Sequence, residues 1–266
     1  REGLLLNYDK WQTDSSGYVQ YASDSVHVKN FVISNNGQSI KINSTTEAPN
    51  SPLDISMSNI SIGPLIEIAT LDSTLAAGTL NGKVLLSNYM TTPVYTGELT
   101  INNLAVTKIP VGDLALKSTN ETENLIRVAM SLKNDQNDVS IGGSYNLKSE
   151  NPMDFKMDLK KLSAKTIEAF SFGELKRAEG NLTGDIAITG STDSPKLNGA
   201  VNFDDVAFNA TQLGARYSLA GQKIQFNGQN INFNNFTITD SLNQAMKING
   251  NVNIAKLPDV GYNLNI

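Results

Sequence analysis

His27 is the chain's only histidine, so a serine–histidine–aspartate triad or a histidine-ligated metal would have to be built around it. It lies between Val26 and Val28, in a stretch where apolar and polar residues alternate. Because successive side chains of a strand point to opposite faces, His27 is placed on the face away from the valines. We therefore predict a solvated strand histidine with no catalytic or metal-binding role.

Asp204 and Asp205 are the carboxylate pair that could suggest general acid–base chemistry. Adjacent residues of a strand point to opposite faces, so these two carboxylates cannot flank one scissile bond. The sequence instead predicts a turn between Phe203 and Val206.

Glycine spacing and cysteine content exclude further kinds of site. Gly78 and Gly82, like Gly180 and Gly184, are spaced for neither a dinucleotide-binding loop nor a P-loop, and each pair precedes a strand. Such glycines are typical of a bend or bulge in a curling sheet. The chain has no cysteine, which removes disulfides, thiol catalysis and cysteine-ligated zinc. We expect a protein that is not an enzyme and that holds no cofactor and no metal.

Composition and charge narrow the class of partner. The formal net charge is -5 and the basic residues form no cluster, which argues against nucleic acid as a partner. Hydrophobic residues make up 39% of the chain and charged residues 18%, as in a folded protein. No apolar run reaches the roughly 18 residues that a membrane-spanning helix needs.

Alternation of apolar and polar residues predicts the secondary structure. Ile126, Val128, Met130 and Leu132 form one such row, and this period is that of strands with one apolar and one solvated face. Residues 62–75 and 163–176 instead carry apolar side chains at spacings of three and four, typical of amphipathic helices. The predicted fold class is all-β with two short amphipathic helices.

Internal repetition predicts how the strands are organised. Gly78 and Gly82 recur as Gly180 and Gly184, an offset of 102 residues (180−78 and 184−82), and apolar positions follow at the same offset without gaps. No linker rich in proline, glycine or serine interrupts the pattern, so we expect one elongated, repeat-built, curled sheet with an apolar interior. The predicted divisions are the tail of one repeat, two complete repeats and the start of another, at residues 1–52, 53–154, 155–257 and 258–266.

The apolar rows are the main functional signal. If two sheets bury these rows against each other, they form an ordinary dry core that binds nothing. If one-sided repeats add along an axis, the rows form a continuous apolar trough instead. A lining without polar groups suits acyl chains, because each buried methylene contributes about 0.8 kcal/mol. The residues predicted to line the trough are Val84, Leu86, Leu99, Ile101, Val128, Met130, Ile186, Ile188, Val201, Phe203, Phe226, Phe233, Met246 and Ile248.

The stretch from Gly180 to Gly199 (GNLTGDIAITGSTDSPKLNG) resembles the TamB/AsmA-like envelope proteins. In that family, a strand with the pattern G-x-L-x-G is followed by a glycine and then, after a variable number of residues, by the pattern P-x-L-x-G. The similarity covers residues 178–254, and residues 75–147 resemble a degenerate copy in which Asn88 replaces Gly190.

The resemblance implies a β-taco, which is a long sheet curled into a trough with an apolar interior. It also implies a periplasmic location, an inner-membrane anchor in the full-length protein and a BamA/TamA-type partner in the outer membrane. The trough would then shield phospholipids, or other acyl-chain lipids, in transit between the two membranes. Two alternatives stay open: a chaperone-like factor for outer-membrane β-proteins, and a structural surface repeat with a dry core.

Overall fold

A computed structural model describes residues 4–6, 9–22, 25–70, 72 and 75–266. Within these residues the protein consists of twenty strands and two short helices. The strands are β1 (Leu4–Leu6), β2 (Asp9–Thr13), β3 (Tyr18–Ala22), β4 (Ser25–Lys29), β5 (Phe31–Asn35), β6 (Gln38–Ser44), β7 (Leu53–Ser61), β8 (Ala76–Ser87), β9 (Val94–Val106), β10 (Ile109–Thr122), β11 (Leu125–Lys133), β12 (Asp138–Asn146), β13 (Met153–Ser163), β14 (Leu175–Gly190), β15 (Pro195–Ala210), β16 (Ala215–Ser218), β17 (Gln222–Gly228), β18 (Asn230–Asp240), β19 (Ala245–Lys256) and β20 (Asp259–Asn265). The helices are α1 (Ile62–Thr70) and α2 (Ala164–Phe170).

The chain divides into two compact units. Unit 1 comprises residues 1–108 and 113–130, and unit 2 comprises residues 109–112 and 131–266. The repeat boundaries inferred from the sequence remain a prediction.

In unit 1, strands β5 to β9 pair in sequence order as antiparallel neighbours. Residues directly opposite each other on neighbouring strands share a face of the sheet. The register aligns one apolar row across the five strands: Phe31, Ile42, Ile55, Val84 and Gly97. On the other face, a polar row consists of Lys41, Ser56, Lys83 and Glu98. We call the apolar face of each unit its inner face.

Unit 2 has the same one-sided arrangement over more strands. Strands β12, β13, β14, β15, β17, β18, β19 and β20 pair in that order. One row crosses all eight strands on the inner face: Ile141, Met157, Ile186, Gly199, Phe226, Ile231, Val252 and Tyr262. The adjacent row on the other face is Ser140, Asp158, Asp185, Ala200, Gln225, Asn232, Asn251 and Asn263.

The sheet of unit 2 is curled. Strand β15 pairs with β17 along its first part and with β16 along its last part, and β16 pairs in turn with β18. The ring centroids of Phe203 on β15 and Phe236 on β18 are 5.7 Å apart, although β17 lies between the two strands. The inner face is therefore concave, and one sheet layer buries its own side chains. The predicted fold class, an all-β curled antiparallel sheet with two short helices, is confirmed.

An asparagine lies at a bulge in each unit. Asn59 and Asn235 lie at register shifts and have left-handed backbones, with φ of 55° and 48°. Asparagine tolerates this conformation better than most residues. The backbone N–H of Asn59 donates to Asn81 Oδ1 at 2.9 Å, and that of Asn235 donates to Asn249 Oδ1 at 2.8 Å. Each bulge is thus secured by a side chain of the neighbouring strand.

Glycine lies at bulges, as predicted, and also at a close approach of two strands. Gly78 and Gly180 lie at register shifts of β8 and β14. Gly184 has a φ of 154°, and a Cβ built on it would lie only 2.0 Å from the carbonyl oxygen of Ala200. A larger residue at 184 would therefore push β14 and β15 apart.

Asp204 and Asp205 do not form the predicted turn. Strand β15 continues through both residues, and Asp205 has a φ of 53° next to a register shift between β14 and β15. The Oγ1 hydroxyl of Thr183 donates to Asp204 Oδ2 at 3.0 Å. The prediction was wrong because the polar pair marks a kink inside a paired strand, and local composition does not distinguish a kink from a turn.

Both helices are shorter than predicted. The helix predicted at 62–75 ends at Thr70, and Leu71, Ser73 and Thr74 lie outside the described residues. The helix predicted at 163–176 ends at Phe170.

The backbone after α2 explains its early end. Phe172 and Gly173 have positive φ values of 49° and 96°, which cannot continue a right-handed helix. Strand β14 begins at Leu175. The two helices begin 102 residues apart (164−62), as the repeat predicts. Within the described residues, neither helix is long and apolar enough to cross a membrane.

Candidate functional site

Unit 1 contains six of the residues predicted to line a trough: Val84, Leu86, Leu99, Ile101, Val128 and Met130. All six side chains are half-buried. The pairing of β8 with β9 places the first four on the inner face. Lys83 and Leu85, which alternate with them along β8, are exposed. Val128 and Met130 alternate in the same way with the exposed residues Arg127 and Ala129.

Unit 2 contains the other eight predicted residues: Ile186, Ile188, Val201, Phe203, Phe226, Phe233, Met246 and Ile248. Ile186 and Val201 are buried in a cluster with Val139 and Leu159, against which Ile188, Phe203 and Phe226 pack. Phe233 and Ile248 pack against a second cluster, and Met246, at the edge of the face, is 42% exposed. The inner face holds all eight side chains; contact with a lipid stays a prediction.

The buried centre of the second cluster is the part of the inner face that the sequence analysis missed. Its centre is Phe236, which is 4% exposed and packs with the buried residues Val206 and Leu219. The ring of Phe236 meets those of Phe203 and Phe233 edge to face, at centroid distances of 5.7 and 5.5 Å. Phe233 and Phe236 share a face at an odd spacing because a bulge separates them. The Asn-Asn pair between the two phenylalanines was the available signal.

Helix α2 contributes to this second cluster. Ala164, its first residue, is buried there together with Ala178 of β14. The Oγ of Ser163 caps the helix by accepting the Lys165 N–H at 3.2 Å. At its start, therefore, α2 packs against the inner face of unit 2.

A buried asparagine holds the start of α2 in place. Asn137 is 1% exposed, and its side-chain oxygen accepts the Ser163 N–H at 2.9 Å. Its Nδ2 donates to the carbonyl of Val111 at 2.9 Å and to Thr166 Oγ1 at 2.8 Å. Because its polar atoms are satisfied away from water, Asn137 stabilises one position of the helix.

Glu168 ties the other end of α2 to β14. Its Oε2 accepts the Ala178 N–H at 2.7 Å and the Lys165 Nζ at 2.8 Å. Burial alone would raise the pKa of Glu168, but the hydrogen bonds from Lys165 and Ala178 outweigh it and hold this pKa below its usual value.

We expect the stability of unit 2 to fall in acid through Glu168. A carboxyl whose pKa is lowered by folding contributes stability above its unfolded pKa of about 4.3 and loses it as pH falls through the lower folded value. Glu168→Gln should therefore be less stable than the parent protein at pH 7, and the difference should shrink by pH 3. Urea midpoints at both pH values measure this, with Glu150→Gln, on an exposed loop, as the control. An undiminished difference at pH 3 would show that the charge of Glu168 is not what stabilises the helix.

His27 is not solvated, contrary to the prediction. Its side chain is 13% exposed, and its Nε2 lies 3.3 Å from Glu47 Oε2. The Tyr18 ring covers it from the paired strand β3, with centroids 5.9 Å apart. The prediction failed because β3 and β4 form a separate hairpin that places Tyr18 against His27, and β4 also contacts β6. No group of three or more metal-ligating side chains occurs in the described part of the chain.

A cavity of about 500 Å³ opens at one edge of the inner face of unit 2. Its walls come from the end of β15 and the turn after it, from β16, and from the end of β18, the start of β19 and the turn between them. The lining residues are Phe208, Ala210, Leu213, Tyr217, Ile238, Asp240, Gln244, Ala245 and Met246. Phe208 and Ile238 also pack against the Phe236 cluster, so the cavity adjoins the apolar interior.

Comparison with known families agrees with this geometry. The sequence model of the TamB C-terminal domain matches residues 30–235, about three quarters of the chain. The chain belongs to the TamB family. The resemblance seen in the sequence is thereby confirmed. No curated protein and no solved structure matches the chain.

The TamB family has a role in the cell envelope. The family is a non-enzymatic transport and assembly module of the cell envelope, linked to lipid transport and associated with TamA of the outer membrane. The one-sided sheet of unit 2 in this TamB-family chain presents a concave apolar surface.

Proposed function

We propose that the concave inner faces of this TamB-family chain hold and shield the acyl chains of phospholipids during transport between the inner and outer membranes. The observation that carries the proposal is the unbroken apolar row across the strands of each unit, set against a polar row on the opposite face. Burial of methylenes on such a face contributes about 0.8 kcal/mol each and requires no particular order of contacts. An acyl chain of variable length can therefore bind to the inner face and slide along it.

The fourteen residues predicted from the sequence form the proposed lining, and the buried ring of Phe236 supports two of them, Phe203 and Phe233. Most of them are half-buried, which leaves side-chain surface for a ligand to cover. Family membership supports a periplasmic setting, an anchor in the inner membrane and a TamA-type partner in the outer membrane as further parts of this proposal.

A photo-crosslinking side chain on each face of β15 tests the proposal. Phe203 lies on the inner face, whereas its neighbour Asn202 lies opposite Thr183 on the other face and donates to that residue's carbonyl at 3.4 Å. In cells, a crosslinker at Phe203 should capture phospholipid and one at Asn202 should not.

Each other outcome of this experiment selects an alternative. Capture of unfolded outer-membrane β-protein at Phe203 would favour the chaperone function. An absence of adducts at both positions in the folded protein would favour a structural repeat with a dry core.

A further inference from the structure

The cavity at the edge of unit 2 differs from the rest of the inner face because it contains a charge. Of the nine described residues that line it, Asp240 alone is charged. Its Oδ1 accepts the backbone N–H groups of Leu242 and Gln244, both at 2.8 Å. These bonds orient the carboxylate in the wall of an otherwise largely apolar cavity.

An aromatic side chain lies beside this carboxylate. Tyr217 of β16 is paired directly with Asp240 of β18, so the two side chains share a face of the sheet. Phe208 packs next to Tyr217, with ring centroids 6.3 Å apart. A carboxylate beside aromatic rings is the arrangement that binds an ammonium group, through charge and through the negative face of the ring.

We propose that this cavity binds the amine head of a lipid, with the ammonium beside Asp240 and Tyr217 and the acyl chain running into the apolar interior. The cavity lies within the range of about 300–1,000 Å³ that is usual for small-molecule sites. Ile238 connects it to the Phe236 cluster, so the head and the chain of one lipid have adjoining sites. The inference rests on the proposed function and adds to it a substrate class, lipids with an amine head.

Three probes that share a twelve-carbon chain test this: dodecylamine, dodecanol and dodecanoate, each titrated below its micelle concentration at pH 7. An alkylamine keeps its charge at this pH because amines of this kind have a pKa of about 10.4. We expect dodecylamine to bind about tenfold more tightly than dodecanol, and dodecanoate to bind most weakly. The preference for the amine should decrease as salt is added.

Asp240→Asn is the matched variant, because an asparagine Oδ1 still accepts both backbone N–H groups of the turn while the charge is lost. It should bind dodecylamine and dodecanol equally. Asp193→Asn is the control. Asp193 lies in the turn between β14 and β15, at the opposite end of β15 from the cavity. This variant loses the same charge and should keep the tenfold preference.

The outcomes separate the two proposals. Equal binding of all three probes by the parent protein would overturn the amine site and leave the acyl-chain groove standing. Binding of none of them would overturn both. Should Asp240→Asn fail to fold, the salt titration of the parent protein decides, since a preference that does not change with salt contradicts recognition by charge.

Discussion

Replacing Phe236 by alanine should destabilise unit 2 by about 3–5 kcal/mol, the usual cost of truncating a buried phenylalanine. The ring is 4% exposed and lies between Phe203 and Phe233. Because the three rings come from β15 and from both sides of the bulge in β18, their contacts hold the curl of the sheet. The neighbouring strands are fixed by backbone pairing and cannot collapse into the space left behind.

Urea denaturation measures this loss, with Phe172→Ala as the control. Phe172 is 64% exposed beyond the end of α2, so its truncation should cost less than about 1 kcal/mol. Similar costs for the two variants would mean that the three rings do not hold the concave face together.

Placing aspartate at Val84 should lower acyl-chain occupancy of unit 1 by more than about tenfold. A chain lying on the inner face would desolvate the new carboxylate, at a cost of several kcal/mol, and about 1.4 kcal/mol already corresponds to a factor of ten. A photo-crosslinker at Leu99 reports the occupancy. Leu99 lies opposite Gly82 and therefore shares the inner face with Val84. The yield of phospholipid adduct from vesicles is measured by mass spectrometry.

The neighbouring residue provides the control for this experiment. Leu85 carries a similar apolar side chain but lies on the opposite face and is 44% exposed. Leu85→Asp introduces the same charge one residue away and should leave the adduct yield at Leu99 unchanged. If both aspartates reduce the yield equally, the charge acts through the whole protein and the inner face is not the lipid path.

The one-sided sheet could be predicted from the sequence because it depends on a period of two. Wherever pairing is regular, as at Ile186 and Phe226, the predicted side chains lie on the inner face. Prediction failed where one residue interrupts the period. The bulge before Phe236 and the kink at Asp205 each shift the alternation of the residues beyond them. Both irregularities depend on the pairing with a neighbouring strand, which the alternation within one strand does not show.

Contacts between strands and helices were the other feature that the sequence analysis could not predict. The periodicity predicts an amphipathic helix at α2 but does not say that its first residue, Ala164, packs with Phe236. In the same way, the alternation around His27 takes no account of the hairpin that covers it. The cavity beside Asp240 combines segments about thirty residues apart, and no local pattern marks it.

The bulges at Asn59 and Asn235 affect where insertions can be tolerated in the protein. A one-residue insertion within a strand exchanges its two faces and would move residues such as Asp185 onto the apolar side. At Asn59 and Asn235, the extra residue of each bulge is held by a hydrogen bond to one side chain of the neighbouring strand. A residue inserted elsewhere in the strand would have no such partner. Exposed turns carry no such constraint. Length variation among relatives should therefore collect in turns such as 191–194, while the strands between the bulges keep their length to the residue.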